Sequence, residues 1–223
     1  MEFGACDLEF AIILKNIMKI IAIMGSPRKG GNTDLLLGAF LRGVNDGGGE
    51  FEKVSISDLD ISPCRECLAC EASGECIIQD NTQPVYSKLL KADKIVLASP
   101  SFFYGFPAQF KALIDRCQYL WARKYILNST EPSRDFAAAR YERNTRPRSQ
   151  REAFAMLLGA TGGNDLFDGQ IKTIRYFLEP LDASLTGSLL FRKIEKKGDI
   201  SRHPTALDEA YQAGRKFQIT NPK

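Results

Sequence analysis

The chain has 223 residues, of which 44% are hydrophobic and 26% charged, a composition typical of one globular domain with a substantial core. Its 30 basic and 27 acidic side chains give a net charge of only +3, which argues against a protein that binds the phosphate backbone of nucleic acids. The sequence has no low-complexity tract and no internal repeat, so disordered and solenoid classes are excluded as well.

The first 17 residues are interpreted as an N-terminal arm or as the result of an upstream translation start, because Met18 directly precedes the first predicted strand. Residues 10–24 are apolar but include Lys15 and Lys19, so we expect no membrane span. Acidic residues precede this stretch and argue against a signal peptide. We therefore expect a cytoplasmic protein in which residues 18–223 form a single domain.

Short apolar runs alternate with amphipathic stretches along the rest of the chain. Strands are predicted at 20–24, 54–56, 95–98, 153–158 and 185–191, and helices at 33–41, 86–92, 107–120, 169–178 and 204–217. Nearly all-apolar strands that alternate with helices indicate a parallel sheet covered on both faces. The predicted fold is α/β, a flavodoxin-like, doubly wound sheet of five parallel strands in the order 2-1-3-4-5. Ligands of such sheets lie beyond the carboxyl ends of the strands.

The loop after the first strand, residues 25–33, is suited to binding an anion. Backbone N–H groups at a helix N-terminus and the helix dipole both favour a bound phosphate. A triphosphate loop would need Lys and then Ser or Thr after Gly30, so a single phosphomonoester is the better ligand. An ordinary glycine-rich turn with a helix cap is the alternative. The candidate phosphate-binding residues are Ser26, Arg28, Gly31, Asn32 and Thr33.

The loops after the third and fourth strands indicate a flat ligand. Residues 99–107 contain four aromatic side chains, which a protein has little reason to expose unless something planar covers them. Residues 159–165 contain adjacent glycines whose backbone can approach a ligand closely. Core packing of the aromatics and an ordinary strand-to-helix turn are the alternatives. The candidate residues are Pro100, Ser101, Phe102, Phe103, Tyr104, Gly105, Thr161, Gly162 and Gly163.

Four of the six cysteines lie within thirteen residues, as Cys64, Cys67, Cys70 and Cys76, inside a loop predicted at 61–80. Four thiolates so close in sequence indicate a metal site, and their two-residue spacing is typical of the run that ligates [4Fe–4S] in bacterial ferredoxins. Zinc is the alternative, although zinc sites more often pair two C-x2-C units across a longer span. Cys6 and Cys117 fit no ligand pattern and are expected to be structural.

Together these segments resemble the iron-sulfur flavoprotein branch of the flavodoxin-like NAD(P)H-dependent FMN reductase superfamily. The likeness runs from about residue 18 to 217 and includes Pro107-Ala108-Gln109-Phe110-Lys111, followed by Asp115-Arg116. It implies FMN, with its phosphate on Ser26, Arg28, Asn32 and Thr33 and its ring between residues 100–105 and 161–163. It also implies a [4Fe–4S] cluster on the four cysteines, flavin-centred chemistry without a catalytic side chain, and a homodimer or homotetramer.

Residues 121–152 are interpreted as a basic insertion. Its cations could attract the phosphates of NAD(P)H or an acidic redox partner such as ferredoxin, and a solvated charged face is the alternative. Its aromatic residues, Trp121, Tyr125 and Tyr141, suggest packing against a second subunit.

The function expected from these features is electron transfer between NAD(P)H or ferredoxin and an acceptor, through FMN and a [4Fe–4S] cluster. The expected partners are a small molecule or a redox protein, with neither nucleic acid nor membrane. Two alternatives stay open: an NAD(P)H-dependent FMN or quinone reductase without a cluster, and a non-enzymatic electron carrier or redox sensor.

Overall fold

A computed structural model describes residues 18–127 and 151–219. The arm at 1–17 and most of the predicted insertion, residues 128–150, lie outside this range. Five parallel strands form one sheet in the order β2-β1-β3-β4-β5, which confirms the predicted fold class. The strands are β1 (Lys19–Met24), β2 (Glu50–Ser55), β3 (Lys94–Pro100), β4 (Glu152–Leu158) and β5 (Ser184–Phe191).

Helices cover both faces of the sheet. They are α1 (Asn32–Asp46), α2 (Ala69–Ser73), α3 (Thr82–Lys91), α4 (Ala108–Arg116), α5 (Gln118–Tyr125), α6 (Asp168–Leu178), α7 (Asp199–Arg202) and α8 (Ala206–Ile219). Alternate residues of β1 enter different cores: Ile21 and Ile23 pack with α3 to α6, whereas Ile20 and Ala22 pack with α1 and α8. This alternation explains why the strands read as continuous apolar runs.

Several predicted boundaries were wrong. The helix predicted at 107–120 is two helices, because the N–H of Cys117 donates to the carbonyl of Ile114 at 3.0 Å and tightens the chain into a 3₁₀ turn. At the two ends of the predicted insertion, residues 121–125 belong to α5 and Glu152 opens β4. Ile56 follows β2 in a 3₁₀ turn, and the short helices α2 and α7 were missed.

Within the two described ranges, no helix has the length and apolar character needed to cross a bilayer.

Candidate functional site

The loop between β1 and α1 leaves backbone N–H groups available at the carboxyl edge of the sheet. The N–H of Gly25 donates to the carbonyl of Ala98 at 2.7 Å, which ties the loop to β3. Gly31 is the N-cap of α1, and because glycine has no side chain, no side-chain hydrogen bond caps the helix. In the described part of the chain, the first-turn N–H groups of Asn32, Thr33 and Asp34 have no acceptor. The positive end of α1 is therefore free to bind an anion.

The predicted phosphate residues occupy different positions around this helix end. Ser26 is buried, and its hydroxyl accepts the N–H of Arg28 at 3.1 Å, whereas the Arg28 side chain is exposed and has no partner within residues 18–127 and 151–219. The Asn32 carboxamide accepts the N–H of Gly198 at 2.9 Å and donates to the carbonyl of Lys196 at 2.9 Å. Asn32 therefore braces the loop before α7, and its carboxamide keeps one N–H for other contacts.

An acidic residue also lies in the first turn of α1. Asp34 accepts the N–H of Gly30 at 2.8 Å and forms an ion pair with Lys53. Burial opposes ionisation of Asp34, but the hydrogen bond from Lys53 and that from the Gly30 N–H outweigh it, so the pKa of Asp34 is held below its usual value. Lys53 thus neutralises a carboxylate beside the proposed anion site.

The loop after β3 forms a tight turn made of aromatic residues. Phe102 and Gly105 exchange backbone hydrogen bonds of 3.0 and 2.9 Å. Between them, Phe103 and Tyr104 have φ angles of 48° and 62°, in the left-handed region that bulky side chains rarely adopt. Phe103 is fully exposed, and Phe102 and Tyr104 are about half exposed. Strain combined with exposed aromatic surface is typical of a ligand-binding segment.

Two buried oxygens near this turn have no partner in the described residues: the hydroxyl of Ser101 and Oε1 of Gln170. Gln170 is completely buried in the first turn of α6, and its Nε2 donates to the carbonyl of Pro100 at 3.2 Å. The sequence interpretation missed Gln170, since a single polar residue in an amphipathic helix gives no signal until its burial is known.

The glycine-rich loop after β4 lies beside the aromatic turn. A Cβ added to Gly163 would be 3.0 Å from the hydroxyl of Tyr104, and one added to Gly169 would be 3.2 Å from the Tyr104 carbonyl. Thr161 and Gly162 are exposed. The structure thus brings two predicted ring-binding segments together at one edge of the sheet.

Sequence reasoning also missed Arg192, at the carboxyl end of β5. Its guanidinium donates to the carbonyls of Gly163 and Asn164, both at 2.8 Å. Ligands of such sheets lie beyond the carboxyl ends of the strands, and this rule applies to the fifth strand as well. A search of the loop after β5 would therefore have found Arg192.

The four clustered cysteines line one cavity of about 780 Å³ between the cysteine loop and helices α4, α5 and α6. Cys64 and Cys67 are exposed, and Cys70 and Cys76 are partly buried. Burial raises the pKa of the Cys70 thiol, and repulsion from the other three sulfurs raises it further, so the four thiols are electrostatic neighbours. Glu66 and Leu68 flank Cys67 with φ angles of 52° and 59°, so the backbone is strained at the centre of the motif.

A buried arginine closes the base of the cysteine loop. Arg116, on α4, donates to the carbonyls of Ser62 and Ile78 at 2.9 and 2.8 Å and to the carboxylate of Asp80 at 2.7 Å. Residues on both sides of the four cysteines are thereby held to one helix. Cys117 lies next to Arg116 in the core, where burial raises the pKa of its thiol to about 12, in agreement with a structural role.

The cysteine loop offers four thiols as candidate metal ligands. Within the described ranges, no three His, Cys, Asp or Glu side chains converge closely enough to hold one ion. Four thiols around a shared cavity are nevertheless the ligands that a [4Fe–4S] cluster takes, one for each iron.

Solved structures with the same fold include an NAD(P)H:quinone oxidoreductase from Methanothermobacter marburgensis, with a TM-score of 0.64 and 17% identity, over 92% of this chain and 100% of that one. The Trp repressor binding protein from Bacillus subtilis gives a TM-score of 0.58 and 18% identity, over 92% of this chain and 99% of that one. At these identities the likeness shows the fold alone.

Sequence relatives are more specific. The chain is 39% identical over 112 residues to an iron-sulfur flavoprotein of Methanosarcina thermophila, covering 50% of this chain and 59% of the relative. It is 42% identical over 103 residues to an iron-sulfur flavoprotein of Methanocaldococcus jannaschii, covering 46% and 53%. The chain thus spans a little over half the length of these curated relatives. Their names confirm the resemblance to the iron-sulfur flavoprotein branch.

A family model described as NADPH-dependent FMN reductase matches residues 18–159, from the start of β1 to the end of β4. The match includes the loop after β1, the aromatic turn and all four clustered cysteines. Because it spans more than half of the sequence, the chain belongs to the NADPH-dependent FMN reductase family.

Proposed function

We propose that the protein is an FMN-dependent oxidoreductase with its flavin at the carboxyl edge of the sheet. The observation that carries the proposal is the strained turn at Phe103 and Tyr104, which presents aromatic surface beside the glycine loop after β4. The uncapped start of α1 lies at the same carboxyl edge of the sheet. A phosphate at one end and a flat amphipathic ring at the other match these surfaces. Membership of the FMN reductase family supports the same ligand.

The residues would divide the binding of FMN among three loops. The first-turn N–H groups of α1, the Ser26 hydroxyl and the Arg28 guanidinium would hold the phosphate, as dipole and charge favour an anion there. Residues 100–105 would cover one side of the ring and exclude water, and residues 161–163 would contact its pyrimidine edge. When bound, FMN supplies a centre that exchanges electrons in pairs or singly, so no side-chain acid or base is required.

We further propose that Cys64, Cys67, Cys70 and Cys76 hold a [4Fe–4S] cluster, which supplies one-electron transfer. Their shared cavity and the names of the relatives support this assignment. Arg116 would keep the two ends of the loop together, through its hydrogen bonds to Ser62, Ile78 and Asp80.

NAD(P)H or ferredoxin is the proposed electron donor, with a small molecule or a redox protein as the acceptor. Exposed cations without ion-pair partners in the described residues support an anionic donor at this edge of the sheet; they are Arg28, Lys193, Lys196 and Lys197. A homodimer or homotetramer is proposed from the family resemblance.

The experiment is an anaerobic absorption spectrum of the purified full chain before and after dithionite, with FMN, iron and acid-labile sulfide assayed on the same sample. We expect one FMN and about four iron per chain, because each cubane holds four irons. Cys70→Ser should lose the iron, whereas Cys117→Ala, the matched control in the same cavity wall, should keep it.

Each other outcome changes the proposal in a defined way. Protein that stays colourless after FMN is added contradicts the flavin assignment. FMN without iron leaves the cluster-free FMN or quinone reductase, and zinc in place of iron rejects the cluster. FMN and iron with no NAD(P)H oxidation favour an electron carrier or redox sensor.

A further inference from the structure

Two residues directly after β5, Arg192 and Lys193, donate hydrogen bonds to three backbone carbonyls of the loop after β4. Arg192 donates from Nε to the carbonyl of Gly163 and from a terminal nitrogen to that of Asn164, both at 2.8 Å. The backbone N–H of Lys193 donates to the carbonyl of Thr161 at 3.2 Å. The Arg192 guanidinium also lies 5.2 Å from the centroid of the buried Phe167 ring, which provides a rigid support.

These hydrogen bonds fix the orientation of the peptide groups. No cis peptide bond occurs in the described ranges, and in a trans peptide the N–H points opposite to the carbonyl of the preceding residue. The N–H groups of Asn164 and Asp165 therefore point away from Arg192, and that of Gly162 points away from the backbone of Lys193. We call these three N–H groups the donor row.

The donor row is available to a ligand. Its three residues are exposed, and their N–H groups have no acceptor anywhere in the described chain. The aromatic turn lies next to it, since the hydroxyl of Tyr104 is 3.0 Å from the place that a Cβ on Gly163 would take. A planar heterocycle against the turn would meet a line of backbone donors along one edge.

We propose that Arg192 is a positioning residue, which holds the loop after β4 so that the donor row faces the acceptor edge of the bound flavin. This inference rests on the proposed FMN site. A bidentate guanidinium on two successive carbonyls has a fixed fork geometry that lysine lacks. Arg192 thus acts on the flavin through the backbone, and its charge further polarises the peptide groups that it holds.

The arrangement has a consequence for the reduction potential of FMN. Reduction by two electrons and a proton leaves negative charge along the pyrimidine edge, so oriented N–H donors bind the reduced form more tightly than the oxidised form. Loosening the donor row weakens both forms, but the reduced form more, and the potential falls. A tenfold loss of this preference corresponds to about 30 mV for a two-electron couple.

The test compares wild type, Arg192→Ala and Arg192→Lys with the matched control Arg175→Ala. Arg175 is an exposed arginine on α6 that lines, together with Arg192, a groove between α6 and β5. It has no partner among the described residues, so the control removes an equal charge. Three quantities are measured: the Kd of the apo-protein for FMN, the two-electron midpoint potential of bound FMN, and the free energy of unfolding of the apo-protein.

For Arg192→Ala and Arg192→Lys we expect a Kd about tenfold higher and a potential about 30 mV lower. Arg175→Ala should match wild type in both. The inference would be overturned if the Arg192 variants had normal affinity and potential, or if the Arg175 control showed equal shifts. An unchanged Arg192→Lys variant would also overturn it, because a positive charge without the fork geometry would then be enough to position the loop. If Arg192→Ala does not fold, the lysine variant decides by the same criteria. Failure of the wild type to bind FMN would instead reject the proposed function.

Discussion

Gly25 lies where the loop after β1 passes closest to α4. A Cβ at this position would be 2.1 Å from Cδ1 of Phe110, far inside any real contact, and the ring of Phe110 is completely buried. The absence of a side chain at Gly25 therefore lets the loop after β1 and the start of α4 approach each other. Gly38 is the opposite case, because it lies inside α1 with its nearest neighbour 3.9 Å away.

We expect Gly25→Ala to lower the free energy of unfolding by about 2–3 kcal/mol, since the buried ring must move or the loop must shift. Gly38→Ala should raise it by about 0.5–1 kcal/mol, because alanine favours a helix interior. Urea titration of both variants measures the two changes. Equal stability of Gly25→Ala and wild type would show that the loop relaxes without cost.

Asp34 makes the stability depend on pH. Its folded-state pKa is lowered, so its ionised form stabilises the fold above the unfolded-state pKa of about 3.9, and this contribution disappears as the pH falls through the folded-state value. Asp34→Asn should therefore be less stable than wild type at pH 7, by about 1 kcal/mol, and the difference should vanish in acid below the folded-state pKa. A constant difference across a denaturation series from pH 7 to 2 would contradict this role.

Phe103 shows how binding and stability conflict in one side chain. Its left-handed φ of 48° costs a bulky residue free energy that glycine does not incur. Phe103→Gly should therefore raise the unfolding free energy of the apo-protein by about 0.5–1 kcal/mol, while the affinity for FMN falls because aromatic contact area is lost. Calorimetry of the apo-protein measures the stability, and titration with FMN measures the affinity. If Phe103→Gly lost stability as well as affinity, the idea that Phe103 is strained would be rejected.

At the scale of elements, the cysteine loop depends on α4. Arg116 and Asp80 are buried together, with side-chain exposures of 0% and 7%, and Asp80 also accepts the N–H groups of Ser62 and Thr82. Burial opposes ionisation of Asp80, but these hydrogen bonds and Arg116 outweigh it and lower its pKa. The pair holds the loop that carries the four cysteines.

Arg116→Gln should lower the unfolding free energy by roughly 3 kcal/mol, because it leaves the buried Asp80 carboxylate without its counter-charge. Iron content should fall with it, because the loop ends separate. Lys111→Ala on the same helix is the control: its ion pair with Asp115 is exposed, so the change should stay within about 0.5 kcal/mol. Full iron content in Arg116→Gln would show that the cysteine loop keeps its arrangement without Arg116.

At the scale of the whole molecule, two buried cations, Lys94 and Arg151, lie at the amino edge of the sheet, opposite the proposed site. Arg151 donates to the carbonyls of Leu89, Ala92 and Leu181, and Lys94 contacts the carboxylate of Glu152 at 2.6 Å and the carbonyl of Phe217. These carbonyls lie at the ends of helical segments on both sides of the sheet. Two positive charges thus satisfy acceptors that helices α3 and α8 leave unpaired.

We expect Arg151→Met to lower the free energy of unfolding by roughly 3 kcal/mol, because buried carbonyls from two helical ends lose their donor. Arg215→Met, at an exposed position of α8, should change it by less than about 0.5 kcal/mol. Since Arg151 is remote from the carboxyl edge, the FMN affinity of the folded variant should match wild type. A weakened FMN affinity would show that the two edges are coupled.

The sequence by itself determined the strand order, the two-sided core and the segments that carry the candidate site. Apolar strand periodicity, the glycine loop after β1 and the spacing of the four cysteines are local patterns, and local patterns can be read without knowing which segments meet. The break at Cys117 was not foreseen, because a helical pattern runs through it and only local 3₁₀ hydrogen bonds made by the N–H and the carbonyl of Cys117 mark it.

Only the tertiary structure decided which side chains act on those segments. Gln170 and Arg192 are distant in sequence from the carbonyls that they bind, so no local pattern marks them. Asn32 fits a phosphate motif in sequence, yet its carboxamide mostly binds the loop before α7. Long-range hydrogen bonds depend on where the sheet and its helices bring the backbone. The sequence therefore identified the candidate loops, and the fold determined which residues hold them in place.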